Sequence, residues 1–181
     1  IFHPIEDSRV ADMKSKILGA DRADHFVGLW INRNAKRKRS NDVLESWKIF
    51  MDDLQAKHGH QKATLVMHTD PMDMQGSNLL KTSEMLGLQK HVVFSKDRLE
   101  FEQICCLHNI SDFCLNISCN EGFGLGTLEA MQCGKPIIAI KTGGLTRQVV
   151  DHRDGSENGV ALPVELRTMV GSQMVPYIYE D

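Results

Sequence analysis

The sequence predicts an α/β fold in which a parallel sheet is covered by helices on both faces. Three observations carry that expectation. Short apolar runs recur along the chain, helical periodicity fills the intervals between them, and the most glycine-rich turn stands where a strand hands over to a helix. At 181 residues and 41% apolar, the chain is of a size that normally makes one domain with a full core.

Residues 1–24 read as a connecting segment. The first strand is "HFVGLWI" (25–31), followed by the basic turn "NRNAKRKRSND" (32–42). A helix from Asn41 to Lys57 comes next: Val43, Leu44, Trp47, Phe50, Met51 and Leu54 fall at i, i+3, i+4 and i+7 spacings, and Asp42, Glu45, Lys48 and Asp52 lie outside that stripe. The second strand is "ATLVMH" (63–68). A helix over Asn78 to Leu86 stops at Gly87, whose freedom at positive φ suits the residue just past a helix. Then follow the strand "HVVF" (91–94), a helix from Phe101 to His108, and the strand "DFCLNIS" (112–118).

The next helix begins near Leu125 and ends at Cys133, because Gly134 suits the left-handed position after it and Pro136 cannot continue it. "PIIAI" (136–140) is the last strand, "TGGLTRQVVD" (142–151) a second glycine turn with a short helix, and "DHRDGSENG" (151–159) a surface loop. Residues 25–165 are therefore expected to form the domain. Residues 166–181 read as a tail cut before the end of a parent protein, since the chain opens on "IFHPIED" and stops in the partly apolar "VPYIYED".

A net charge of −3 and a pI near 6.2 argue against a protein whose main task is binding nucleic acid or an anionic membrane. The apolar runs are too short to cross a bilayer and the N-terminus has no signal-like segment, so a cytoplasmic location is expected. Cys105, Cys106, Cys114, Cys119 and Cys133 lack paired CxxC spacing and read as buried, reduced thiols.

The chemistry concentrates in "CNEGFGLGTLEAMQCGKP" (119–136). A strand-to-helix turn at the carboxyl end of a parallel sheet offers free N–H groups and a partial positive charge, and Gly124 and Gly126 let a phosphate approach the backbone. Glu121 lies on the loop before the helix and Glu129 about one turn into it. Two carboxylates flanking a phosphate seat suit a ligand with a diphosphate in its middle and hydroxyls at both ends, which describes a nucleotide sugar. Glycine spacing alone also fits an ordinary helix start, where acidic residues favour the dipole. A dinucleotide fingerprint requires an acidic residue at the end of the next strand, and Lys141 stands there instead.

"NEGFGLGTLEAMQCGKPIIAIKTGG" resembles the signature of retaining GT-B-type glycosyltransferases of family 4, with an acidic residue, seven intervening residues and a glutamate ahead of Ala-Met, Gly-x-Pro and Gly-Gly. The resemblance covers about residues 1–165. It implies one half of a GT-B fold, a Rossmann-like three-layer parallel sheet that supplies the donor-binding C-terminal domain and transfers a sugar with retention. It implies that Glu129 grips the donor ribose, that Glu121 lies beside the transferred sugar, and that Phe123, Gly124, Leu125, Gly126 and Thr127 face sugar and diphosphate. Gly126 stands where many members have proline, which leaves the amides in place. Gly143 and Gly144 either face the donor or form a plain tight turn.

The same resemblance assigns a phosphate clamp to Arg33 and Lys38, which with Glu121 make up the expected catalytic residues. Lys36, Arg37 and Arg39 are left as surface charges. Breaking the sugar–phosphate bond leaves growing negative charge, which Arg33, Lys38 and helix amides can stabilise, so no metal and no cofactor are expected. "DPMD" (70–73) and "DD" (52–53) lack the Asp-x-Asp spacing of metal-dependent transferases, and "HGH" (58–60) has no third ligand. His68 reads as a strand-end residue with a satisfied hydrogen bond, and the resemblance implies that backbone around Phe94 to Lys96 holds the base.

The expected partners are a nucleoside-diphosphate sugar and a missing N-terminal acceptor-binding domain, without nucleic acid. Peripheral membrane association of the full-length protein also belongs to the picture the resemblance gives. The competing expectation is a non-catalytic nucleotide- or nucleic-acid-binding module that uses "KRKR".

Overall fold

The computed structural model describes residues 1–171 and 176–181. It contains a six-stranded, all-parallel sheet: β1 (Phe26–Ile31), β2 (Ala63–His68), β3 (Val92–Ser95), β4 (Phe113–Asn116), β5 (Ile137–Ile140) and β6 (Gly159–Leu162), in the order β3-β2-β1-β4-β5-β6. The intervening helices are α1 (Asp7–Leu18), α2 (Ser40–His58), α3 (Leu79–Met85), α4 (Phe101–Ile110), α5 (Leu125–Gln132) and α6 (Leu145–Val149). No helix among the described residues is long and apolar enough to cross a membrane.

Alternation along the buried strands separates the layers. On β1, Trp30 faces a core that holds Val43, Leu44, Trp47 and Met51 of α2, whereas Val27 and Leu29 face Leu18 of α1 and Leu107 and Ile110 of α4. Ala130, Leu145 and Val149 of α5 and α6 close over Cys114, Ile137 and Ala139. Both faces of the central strands are thus apolar, which is why they read as unbroken hydrophobic runs.

Capping sets the ends. Asn78 accepts from the Lys81 N–H at 3.0 Å to start α3, and the Gln103 side chain accepts from the Glu100 N–H at 2.9 Å before α4. Gly59 closes α2 with φ 72°.

Three features differ from the sequence reading. Residues 1–24, taken as a connecting segment, contain α1, whose Val10 and Met13 pack onto the core beneath α4. "GVAL" forms β6, too short to register as a strand until it is seen paired with β5. The stretch 166–181, taken as a tail, forms an antiparallel pair of β7 (Arg167–Gly171) and β8 (Pro176–Glu180) among its described residues.

Candidate functional site

In the order β3-β2-β1-β4-β5-β6 the chain winds to one side of β1 and then returns to place β4 on the other. Loops leaving the carboxyl ends of β1 and β4 therefore part in opposite directions and open a crevice between them. Both segments singled out in the sequence lie there. The Cys119 N–H donates to the Arg37 carbonyl at 2.9 Å and Arg37 Nη1 donates to the Asn120 carbonyl at 3.0 Å, so the basic turn and the glycine turn are stitched together.

Lys38 and Glu121 meet at this seam. Their side chains are 7% and 13% exposed, and the ammonium donates directly to the Glu121 carboxylate. Burial pulls the Lys38 ammonium below its ordinary value, and the Glu121 charge opposes that pull. A cation so placed is already desolvated, which strengthens its attraction for any anion that enters.

Arg33 goes elsewhere. It is 61% exposed, and its Nε and Nη2 donate to Asp73 at 2.7 and 3.3 Å. This pairing raises the Arg33 guanidinium and holds the Asp73 carboxyl below the usual carboxylate range. Both residues line an open pocket of about 420 Å³ at the ends of β1 to β3, with His68, Thr69, Lys96 and Arg98. His68 Nδ1 lies 3.0 Å from Ser95 Oγ, the satisfied strand-end contact expected of it. The structure thus brings Lys38, Glu121 and α5 together and turns Arg33 toward the β2 side of the crevice.

Arg39 corrects the sequence reading. Instead of a free surface charge it is half-buried, in a left-handed conformation with φ 54°, and paired with Asp42 and Asp181. Lys36 and Arg37 are exposed, as expected.

At the glycine turn, Gly124 has φ 86°, and a Cβ there would lie 2.5 Å from Leu145 Cδ2. Only glycine fits. Among the described residues no side chain caps α5, and its first turn holds no acidic residue, so its leading amides face the crevice without an anion from those residues. Phe123 and Leu125 are exposed beside them. The Thr127 hydroxyl is buried and donates to the Gly124 carbonyl at 2.8 Å, which leaves its backbone N–H as the group it can offer a ligand. Gly143 and Gly144 press against backbone: a Cβ on Gly143 would stand 1.9 Å from the Glu121 carbonyl oxygen, and the Gly144 N–H donates to that oxygen at 3.0 Å.

Glu129 is 20% exposed, and His108 Nε2 lies 3.4 Å from its Oε2. Burial, reinforced by the nearby Glu129 charge, pushes the Cys114 thiol up to about 12. The C-terminal strand reaches the same end of the sheet: the Glu180 N–H donates to the Cys119 carbonyl at 2.9 Å, Asn120 Nδ2 donates to the Ile178 carbonyl at 3.1 Å, and the Thr142 hydroxyl donates to Glu180. Sequence reasoning missed Asp73, His108 and Glu180. An acidic residue in the loop after β2 and a histidine on an apolar helix were the available signals, and neither named its partner.

The chain also resembles known proteins. The chain is 32% identical over 162 residues to a D-inositol 3-phosphate glycosyltransferase of Corynebacterium jeikeium, a match that covers 88% of the chain and 36% of that relative. It is 29% identical over 138 residues to the N-acetyl-alpha-D-glucosaminyl L-malate synthase of Bacillus anthracis, covering 72% of the chain and 33% of the relative. In fold it resembles Anabaena Alr3699/HepE in complex with UDP-glucose, with TM-score 0.70, 22% identity, and 90% of this chain and 40% of that one covered. It also resembles the C-terminal domain of a glycosyl transferase group 1 family protein (LpcC) from Francisella tularensis, with TM-score 0.65, 23% identity, and 90% and 77% covered. The chain spans about a third of the length of these two curated relatives. The profile of the family described as "Glycosyl transferases group 1" matches residues 20–165, and the chain belongs to that family.

Proposed function

We propose that this chain is the donor-binding C-terminal domain of a retaining glycosyltransferase and that it seats a nucleoside-diphosphate sugar in the crevice between the loops after β1 and β4. One observation carries the reading: the buried Lys38–Glu121 pair stands beside the uncapped start of α5, with the Glu129 carboxylate one turn further in. The diphosphate lies on the amides of residues 123–127 and draws on the charge of Lys38 and Arg33. Glu129 accepts from the ribose hydroxyls, Glu121 borders the transferred sugar, and the turn at Gly143 and Gly144 holds the Glu121 loop in place. As the bond between the sugar and the phosphate oxygen breaks, the leaving diphosphate gains charge that the two cations and the helix amides stabilise more strongly than they do the ground state.

The names of the relatives and the UDP-glucose held by the fold neighbour support this reading. Acceptor binding and closure belong to a second domain, and the isolated chain is expected to bind donor but to transfer little. The donor-site reading is favoured over the rival nucleic-acid reading because Lys38 is buried and Arg39 is tied to two aspartates, leaving Lys36 and Arg37 as the exposed part of "KRKR".

Isothermal titration with UDP, GDP and ADP tests the proposal. Binding of at least one is expected, and Glu129→Ala should weaken it roughly 10- to 100-fold, the range for loss of a hydrogen bond to a charged group. Absence of heat with all three nucleotides would refute the proposal, and unchanged affinity in the variant would remove Glu129 from the site.

A further inference from the structure

His108 sits on α4 with its side chain fully buried, yet its Nδ1 has no hydrogen-bond partner among the described residues. Leaving a buried polar atom unpaired is unfavourable, and an apolar ring of similar shape would avoid that cost. Edge-on packing against Phe2, with ring centroids 6.0 Å apart, would suit such a ring equally well. Among the described residues, the one polar contact the imidazole makes is from Nε2 to Glu129 Oε2 at 3.4 Å. Among the described residues that contact is also the one polar contact of the Glu129 side chain. With Nδ1 unpartnered, the tautomer that carries its proton on Nε2 matches this geometry.

We propose that His108 is a positioning residue for the donor site: its Nε2–H holds the Glu129 carboxylate at the angle from which the free oxygen accepts the ribose hydroxyl protons of a bound nucleotide. This deepens the reading of Glu129 given above and rests on it. The imidazole is delivered from a different βα unit, so the carboxylate is braced from below α5 instead of by a neighbour on its own helix. A contact of 3.4 Å is long for N–H···O. It steers the carboxylate while leaving it free to turn onto a ligand hydroxyl.

The readout is discrimination between ribose and its deoxy form. Affinities of UDP, GDP and ADP are measured against those of their 2′,3′-dideoxy counterparts by titration calorimetry, in the unsubstituted protein and in H108F, H108Q, E129A and the H108F/E129A double variant. The unsubstituted protein should prefer the ribose form by tenfold or more, H108F should lose most of that preference, and H108Q, which keeps an N–H donor, should recover part of it. In the E129A background, H108F should add nothing.

An H108F protein that keeps the full preference overturns the proposal, as does one that weakens ribose and dideoxy ligands equally. If the unsubstituted protein binds both forms equally, the ribose role of Glu129 itself falls, an outcome separable from a failure of His108 alone. Should H108F not fold, the ¹⁵N signal of the His108 ring in the unsubstituted protein gives the same answer. It should shift on saturation with the ribonucleotide more than with the dideoxy form, and identical spectra with the two overturn the proposal.

Discussion

Arg33 and Lys38 stand five residues apart in the chain and occupy very different surroundings. Arg33 is exposed in its pair with Asp73, and exposed pairs contribute only about 0–1 kcal/mol to stability. Arg33→Ala should therefore weaken nucleotide binding by roughly tenfold or more while the melting temperature barely moves. Lys38→Met removes the partner of a buried carboxylate, a change that commonly costs about 3–5 kcal/mol. Its expected outcome is loss of binding together with a clearly lower melting temperature, and Lys38→Met/Glu121→Leu should regain stability without regaining affinity. Thermal melts paired with titrations separate the two residues. A Lys38→Met protein that melts like the unsubstituted one would show that the pair does not hold the seam.

At the level of elements, the two glycine turns work as one unit. The turn after β5 lies directly on the Glu121 backbone, and Gly143 has φ 46°, a region that side chains adopt at a cost. Gly143→Ala should lower the unfolding free energy by about 2 kcal/mol or more, since both the backbone conformation and the contact with the Glu121 carbonyl are lost. Gly126 is the contrast. A Cβ there would lie 3.4 Å from the Ile31 carbonyl oxygen, close to ordinary contact, so Gly126→Ala should stay within about 1 kcal/mol. Urea midpoints measured side by side decide this, and equal loss in the two variants would contradict the packing described.

For the whole molecule, burial fixes how stability responds to acid. His25, His68 and His91 are each pulled below the ordinary value of 6.5, mainly by desolvation. Below pH 6.5 the unfolded chain takes up protons that the folded chain resists, so stability falls as pH drops through the depressed values and is fully present above 6.5. Asp24, Asp73 and Asp154 are held below their ordinary 3.8, chiefly by Lys62, Arg33 and Ser156 respectively, and their contributions vanish only as pH falls past that value. Melting temperatures followed by circular dichroism should be level between about pH 7 and the ordinary thiol value of 9.0, decline below 6.5 and decline further under 3.8. A melting temperature that rises between about pH 7 and 5 would refute this account.

The alternation of strands and helices, the stripe of α2 and the glycine-started α5 were legible in the residues, because periodicity and turn chemistry are written between near neighbours. Placement of the basic turn and the glycine turn at one sheet end was legible too, since both follow strands of a parallel sheet. By itself, then, the sequence determined the layered α/β class and the segments that border the crevice. Only the tertiary structure decided which charge meets which: Lys38 with Glu121, 83 residues apart, Arg39 with Asp181, 142 apart, and His108 with Glu129, 21 apart on separate helices. α1 and β6 belong with these, for each depends on the surface it packs or pairs against more than on a strong local pattern. The physical reason is common to all of them: a charge or a short apolar run specifies what kind of partner it needs, and the winding order of the sheet supplies which one lies within reach.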